Sequence, residues 1–325
     1  MMLPGSVAFE GRRILLKYHR LLSGTGAHPP NSLSALREVV QGGAEVIEFD
    51  IHAIEDGEYL LIHDDTLERE TTGAGPVRNI TRASAKTLRL RGSAEPAVLL
   101  SDLSQVLAGH RRPLKVQVDL KDLIPFRREE ARRLLRALEP LRANSHLDVV
   151  VGCLGDWNLR ALRRLDATLR IGLDFALYLD VPDPEFPRLP LRVNVYGYLD
   201  DHPLGYMQVM PVRDYLEERI ESLCHLLPGA VEVYLHVELL LRAIADGINP
   251  VELVRRELGG VPVDTWTLNA GASGTAGMLQ AVLDAGVDQI TTDTAVQLAA
   301  LITARDGNAG TRERGNAATR PEGNE

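Results

Sequence analysis

Two carboxylates stand one residue apart in the apolar run Glu45-Val46-Ile47-Glu48-Phe49-Asp50-Ile51-His52. Thirteen residues past Asp50, a second apolar run, Tyr59-Leu60-Leu61-Ile62-His63-Asp64, ends in a histidine. Side chains alternate faces along a strand, so Glu48 and Asp50 point the same way. Two like charges on one buried face repel and are costly to take out of water unless a cation lies between them. A hard divalent metal held by oxygen ligands is the natural cation.

The same arrangement recurs on either side. Arg13-Ile14-Leu15-Leu16-Lys17-Tyr18-His19-Arg20 reads as a strand ending in His-Arg, and Leu114 to Lys121 as a strand ending in Asp119-x-Lys121, with those two side chains on one face. Four apolar segments therefore end in ionisable side chains. Polar groups gathered at the C-terminal ends of strands are what an α/β barrel offers as an active site.

The elements that would position these groups alternate between strand and helix periodicity, which predicts an α/β fold with a parallel sheet. A Gly/Pro loop from Ser23 to Pro30 leads to Asn31 or Ser32 as a helix cap; Leu33, Leu36, Val39 and Val40 mark the helix face, and Gly42-Gly43 ends it. Glu55-Asp56-Gly57 is a tight turn, so the His63 segment is expected to return by a short connection. Helices are predicted over Arg127 to Leu138, with its arginines on a solvated face, and from a cap at Asp156. Later strands are predicted at 147–152, 169–175, 261–269 and 286–293, the alternating pattern resumes over 230–241, and helices are predicted at 211–226, 274–285 and 294–305 with one starting at Asn249-Pro250. The total is about eight strands in one domain, a single (β/α)8 TIM barrel over residues 1–305. Proline at 182, 184, 187, 190, 203, 211 and 228 marks an insertion or lid at about 176–229, and the Gly/Asn/Arg/Glu-rich 306–325 reads as a disordered tail.

Bulk properties narrow the function. The chain has 325 residues, 45% of them hydrophobic, enough for a sizeable core. A net charge of −9 argues against the phosphate backbone of nucleic acid as a partner, while leaving room for a local basic site for one phosphate. Two cysteines, Cys153 and Cys224, make no disulfide framework. A reducing, cytoplasmic setting fits. No secretory signal, membrane span or lipidation motif is visible, so no stable membrane anchor is expected. The Asn79-Ile80-Thr81 sequon is then a chance match.

Taken in order, His19-Arg20, Glu48-x-Asp50, His63-Asp64 and Asp119-x-Lys121 resemble the glycerophosphodiester phosphodiesterase family, whose relatives include phosphatidylinositol-specific phospholipases C and sphingomyelinase-D-like phospholipases. The likeness covers roughly Ile14 to Leu301. It includes Thr71-Thr72-Gly73, Thr265-Trp266-Thr267-Leu268-Asn269 and the ending Gly286-Val287-Asp288 followed by Ile290-Thr291-Thr292-Asp293. The resemblance implies that His19 and His63 are an acid/base pair and that Glu48, Asp50 and Asp119 hold a divalent metal, Mg²⁺ or Ca²⁺. It also implies that Arg20 and Lys121 face the phosphate and that Trp266 stands at the wall of the site. Departures ring the site: Leu21 replaces the family's Gly after His-Arg, Pro29-Pro30-Asn31-Ser32 replaces Pro-Glu-Asn-Thr, and Gly152-Cys153-Leu154 stands at a Ser-Ser-Phe-like strand end.

The implied reaction is metal-dependent hydrolysis of a glycerophosphodiester to an alcohol and glycerol 3-phosphate, by way of a cyclic phosphate where a substrate hydroxyl is the nucleophile. A lysophospholipase D or sphingomyelinase-D-like lyase would use the same residues on a lipid, and a barrel that only binds a phosphorylated ligand is the non-enzymatic reading. Substrates are accordingly small-molecule or lysolipid phosphodiesters. Outside the constellation, His52 reads as structural, His236 as a strand-end residue near the site, and Cys153 as a buried thiol.

Overall fold

The structure is a computed structural model that describes residues 2–182 and 196–317, with side chains described as far as Asp306. The chain begins with a hairpin of β1 (Ser6–Phe9) and β2 (Arg12–Tyr18), followed by α1 (Leu33–Gly42), β3 (Val46–Ala53) and β4 (Tyr59–Leu60). A short α2 (Arg82–Ala85), α3 (Leu100–Leu107), β5 (Leu114–Leu120), α4 (Arg128–Arg142), β6 (Leu147–Cys153), α5 (Asp156–Arg163) and β7 (Arg170–Asp174) come next. Then follow β8 (Leu179–Asp180), β9 (Leu199–Asp200), α6 (Val212–Cys224), β10 (Glu232–His236), α7 (Val237–Ala245) and α8 (Pro250–Leu258). The chain closes with β11 (Val263–Trp266), α9 (Thr275–Asp284), β12 (Gln289–Thr292) and α10 (Ala295–Ala317).

Eight strands run parallel in the order β2-β12-β11-β10-β7-β6-β5-β3, and pairing of β2 with β3 closes them into the expected (β/α)8 barrel. Strands covered on both faces read as near-continuous apolar runs. β3 follows this rule, buried from Val46 to His52. The helices carry apolar stripes: Ala131, Leu134, Leu138 and Leu141 of α4 are buried, while Arg132, Arg133 and Arg136 remain exposed.

Local signals behave as their chemistry dictates, with one difference, at α5. Of the two candidate caps, Ser32 takes α1 by accepting the Ala35 N–H, and Gly43 ends that helix in the left-handed region. Gly155 rather than Asp156 occupies the cap position of α5, because Asp156 is buried and hydrogen-bonds Tyr178 Oη at 2.7 Å.

β4 turns back antiparallel on β3, pairing Ala53 with Tyr59 and His52 with Leu60, as the Glu55-Asp56-Gly57 turn predicts. The excursion that follows has its own small core of Ile54, Leu60, Ile62, Leu67, Val77, Leu90 and Leu99. That core anchors a long non-barrel segment, and with it His63. Within the segment read as an insertion, β8 and β9 pair antiparallel, and residues 183–195 lie outside the described residues. The last helix enters the segment read as a tail, whose residues 318–325 also lie outside.

Tyr234 lies across the barrel interior, in space that two glycines leave open. A Cβ on Gly172 would stand 2.2 Å from Tyr234 Oη, and one on Gly152 3.1 Å from its ring. Gly172→Ala is therefore expected to destabilise the fold by about 1–3 kcal/mol, as overpacking does. Adding Tyr234→Leu should recover part of that loss in a double-mutant cycle read by urea unfolding. Unchanged stability of the single variant would refute this packing.

Candidate active site

Alternation along β3 sends Glu48 and Asp50 into the barrel mouth, and the parallel register places Asp119 of β5 directly opposite Asp50. Carboxylate oxygens of Glu48, Asp50 and Asp119 lie within 4.8 Å of one another. Cationic and polar neighbours offset the repulsion. Lys121 Nζ stands 2.6 Å from Asp119 Oδ2 and 3.0 Å from Asp50 Oδ1. Arg20 Nε is 3.3 Å from Asp50 Oδ2, Asn31 Nδ2 donates to that same oxygen at 3.0 Å, and the Arg20 N–H donates to Glu48 Oε2 at 2.8 Å.

The two acids of β3 respond in opposite directions. Burial and the Asp50 charge push Glu48 up to about 7. Burial would raise Asp50 too, but Lys121 and Arg20 outweigh it and hold that carboxyl well below the usual range. Burial alone would lower Lys121; Asp119 and Asp50 overcome it and keep the ammonium charged. Glu48 Oε1 is buried with no hydrogen-bond partner. An orphaned carboxylate oxygen beside two further carboxylates fits a hard divalent cation, which takes oxygen ligands.

Both histidines flank this group. His19 Nδ1 is 2.7 Å from Asp293 Oδ1, and Asp293 is itself fixed by Asn269 Nδ2 at 2.7 Å. Burial works against a charged His19, but the Asp293 hydrogen bond and the Glu48 charge prevail and raise its pKa. His63 goes the other way: burial and Lys121 lower it to about 4. Glu70 accepts the His63 N–H at 3.2 Å and the Asp64 N–H at 2.9 Å, and Asp64 bonds His63 Nδ1 at 2.9 Å. Where the family has Gly after His-Arg, Leu21 adopts a φ of 66° and Arg20 one of 50°, both left-handed. Such a conformation costs roughly 1–2 kcal/mol per residue. Full burial of the Leu21 side chain, worth about 1.5–3 kcal/mol, offsets it.

A cavity of about 160 Å³ gathers His19, Arg20, Glu48, His63, Asp119, Lys121 and Trp266 on its walls. Asp50 lies beneath them, wholly buried. All eight residues singled out in the sequence thus converge. The floor was not foreseen: Gln117, Tyr234, Asp264 and Thr291 also line the cavity. Gln117 precedes Asp119 by two residues and Asp264 precedes Trp266 by two, so strand alternation was the available signal. Lys17, two before His19, lies under the floor, 3.1 Å from Asp264 Oδ2 and 4.4 Å from the Tyr234 ring centre. The parts played by Asp293, which reaches His19 from the far end of the chain, and by Asn31, which reaches Asp50 instead of capping α1, follow from tertiary contacts.

Other histidines and thiols have structural neighbours. His52 Nε2 is 3.2 Å from the His63 carbonyl. His236 pairs with Asp180 at 2.9 Å and stacks on Trp266 at 4.8 Å between ring centres. Cys153 and Cys224 are free and buried. A larger groove of about 730 Å³ runs along the barrel exterior past Arg82, Ser104 and Arg133, apart from the candidate site.

Comparison with known proteins bears on this arrangement. The glycerophosphodiester phosphodiesterase of Caldanaerobacter subterraneus is 24% identical over 226 residues, covering 68% of this chain and 87% of that one. The probable glycerophosphodiester phosphodiesterase 1 of Mycobacterium tuberculosis is 29% identical over 168 residues, 46% of this chain and 61% of its own. Among solved structures, an Oleispira antarctica phosphodiesterase in complex with the product sn-glycerol-3-phosphate superposes with a TM-score of 0.60 at 17% identity, over 89% of this chain and 96% of that one. The glycerophosphodiester phosphodiesterase of Agrobacterium tumefaciens gives 0.55 at 19% identity, over 88% and 99%. The model of the glycerophosphoryl diester phosphodiesterase family matches residues 19–296, from His19 to the start of the last helix. The chain therefore belongs to the glycerophosphoryl diester phosphodiesterase family and is a phosphoric diester hydrolase by class.

Proposed function

We propose that the protein hydrolyses small glycerophosphodiesters to an alcohol and glycerol 3-phosphate, with His19 and His63 as the acid/base pair. The observation that carries this reading is the convergence of two oppositely tuned histidines, two cations and the Glu48 and Asp119 carboxylates on one cavity of about 160 Å³, with Asp50 beneath it. The glycerol 3-phosphate held by the Oleispira phosphodiesterase supports the same substrate class.

A phosphodiester is anionic, so its charge must be offset before a nucleophile can approach. A divalent cation held by Glu48, Asp50 and Asp119 would supply Lewis-acid charge at that place. Arg20 and Lys121 add donors for the phosphoryl oxygens. His63, neutral at physiological pH, suits the removal of a proton from the nucleophile. His19, whose proton the Asp293 hydrogen bond holds more tightly, suits delivery of a proton to the departing alkoxide. The proposed nucleophile is the glycerol hydroxyl next to the phosphate, which gives a cyclic phosphate that water then opens. Residues 1–305 form the catalytic barrel in this reading, with 176–229 as its insertion.

One observation favours a lipid substrate as a second reading. Leu204, Tyr206, Met207 and Val209, within the insertion, are exposed. An apolar run there could meet an acyl chain, and activity confined to micellar lysolipid would establish that reading in place of the first.

Purified protein should release glycerol 3-phosphate from glycerophosphocholine or a related diester with Mg²⁺ or Ca²⁺ and lose that activity with chelator; metal-independent turnover would sink the assigned ligands. His63→Ala should lower kcat by at least 10² on every diester. His19→Ala should do so for choline or glycerol as leaving group and much less for p-nitrophenol, which needs no acid. Equal losses would reverse the assignment of acid and base. Because a raised His19 loses its proton above its ordinary range, activity should fall on the alkaline side, and on the acid side as pH drops toward 4 and His63 gains one. Asp293→Asn should move the alkaline limb to lower pH. Phosphorus NMR of a single turnover tests the cyclic phosphate, whose absence would leave direct attack by water.

A further inference from the structure

A second cavity, of about 210 Å³, adjoins the catalytic one, and three guanidinium groups, from Arg20, Arg69 and Arg91, stand on its walls. Arg20 lines both cavities, so they meet at one side chain. Pro29 and Pro30 form a stiff wall, tied to the site because the following Asn31 N–H donates to the Arg20 carbonyl at 2.9 Å. On the other side the Arg91 N–H donates to the Glu70 carbonyl at 2.8 Å, which sets Arg91 beside the loop that carries His63.

The charge balance of this cavity is positive. Glu70 is the acidic residue on its walls; its carboxylate accepts the backbone N–H groups of His63 and Asp64 and lies 3.8 Å from Arg69. Arg69 is held by Asp64. Arg20 faces Asp50, yet its Nε is buried without a hydrogen bond. Arg91 is exposed and makes no ion pair among the described residues, with Glu68 as an acidic influence on it. Three arginines around one cavity also run against a chain whose net charge is −9. Guanidinium forks match phosphate and carboxylate oxygens in pairs, which gives such a cavity chemical selectivity as well as charge.

We propose that this cavity is a second anion site, taking a phosphate or carboxylate that the substrate carries beyond its scissile phosphate. It rests on the phosphodiesterase reading and narrows the substrate class to phosphodiesters with a further anionic group. Arg91 is the specificity residue, since it touches none of the catalytic side chains described above.

Two measurements test the site. The first compares KM for glycerophosphoglycerol, for the same diester bearing a terminal phosphate, and for glycerophosphoglycerate, whose second anion is a carboxylate. The doubly anionic diesters should show KM about tenfold lower with similar kcat, the better of them identifying the preferred anion. Arg91→Ala should erase the advantage and Arg91→Glu invert it, both leaving KM for glycerophosphoglycerol unchanged. Equal KM for all three diesters overturns the proposal, as does an advantage that survives Arg91→Glu. The second measurement needs no turnover: calorimetry should show glycerol 1,3-bisphosphate or 3-phosphoglycerate binding about tenfold tighter than glycerol 3-phosphate, a gain lost in Arg91→Glu. Tighter binding without turnover of any diester would uphold the anion site and overturn the phosphodiesterase reading; equal binding overturns the anion site alone.

Discussion

Three carboxylates within 4.8 Å of one another, Glu48 and Asp50 buried and Asp119 half-buried, set the terms for everything around them. Unpaired, they would be expelled from the interior or protonated. Each element at the barrel mouth contributes to their support. The 3-10 turn after β2 brings the Arg20 side chain to Asp50 and its N–H to Glu48, the loop before α1 brings Asn31, and the end of β5 brings Lys121. The left-handed backbone at Arg20 and Leu21 follows from the same demand, since it aims a backbone donor at a carboxylate while Leu21 stays buried. Glu48, raised to about 7, is the group least compensated by the protein itself, and so marks where an external cation has most to offer.

The demand extends below the mouth. Instead of an apolar plug, the barrel interior holds Lys17, Lys115, Glu232 and Asp264, with Lys115 2.7 Å from Glu232 and Lys17 3.1 Å from Asp264. Buried ion pairs are poor sources of net stability, because desolvation cancels much of their attraction. Removing one partner is costly, because the other charge is left alone in a low dielectric. The floor is therefore a fixed polar layer, and Tyr234 fills what remains of the barrel above Gly172. That leaves a small polar chamber rather than a deep channel, in keeping with a compact phosphorylated substrate.

How much of this was legible depends on the range of the physics. Period-two and helical patterns are local, so the barrel strands and most helices could be read directly. So could the return of β4, because Glu55-Asp56-Gly57 is a turn by its own backbone preferences. Local propensity left the cap of α1 open between Asn31 and Ser32, and misled at α5. Asn31 and Asp156 are good caps in isolation, but Asp50 and Tyr178, distant in sequence, engage their side chains instead. The floor residues were half legible: alternation puts Gln117 and Asp264 on the same faces as Asp119 and Trp266, but only closure of the barrel makes those faces one surface.

The amino-acid sequence by itself determined the chemistry on offer, namely which side chains carry charge or protons, which strand face each one takes, and the parallel α/β plan that gathers strand ends. Those properties depend on residue type and on neighbours a few positions away. Only the tertiary structure decided how the groups are tuned and which of them meet. His19 receives Asp293 from 274 residues away and Lys17 receives Asp264 from 247 residues away, while His63 is lowered by Lys121 from another strand. Electrostatic tuning depends on distance through space and on burial, and neither is written in the spacing of residues along the chain.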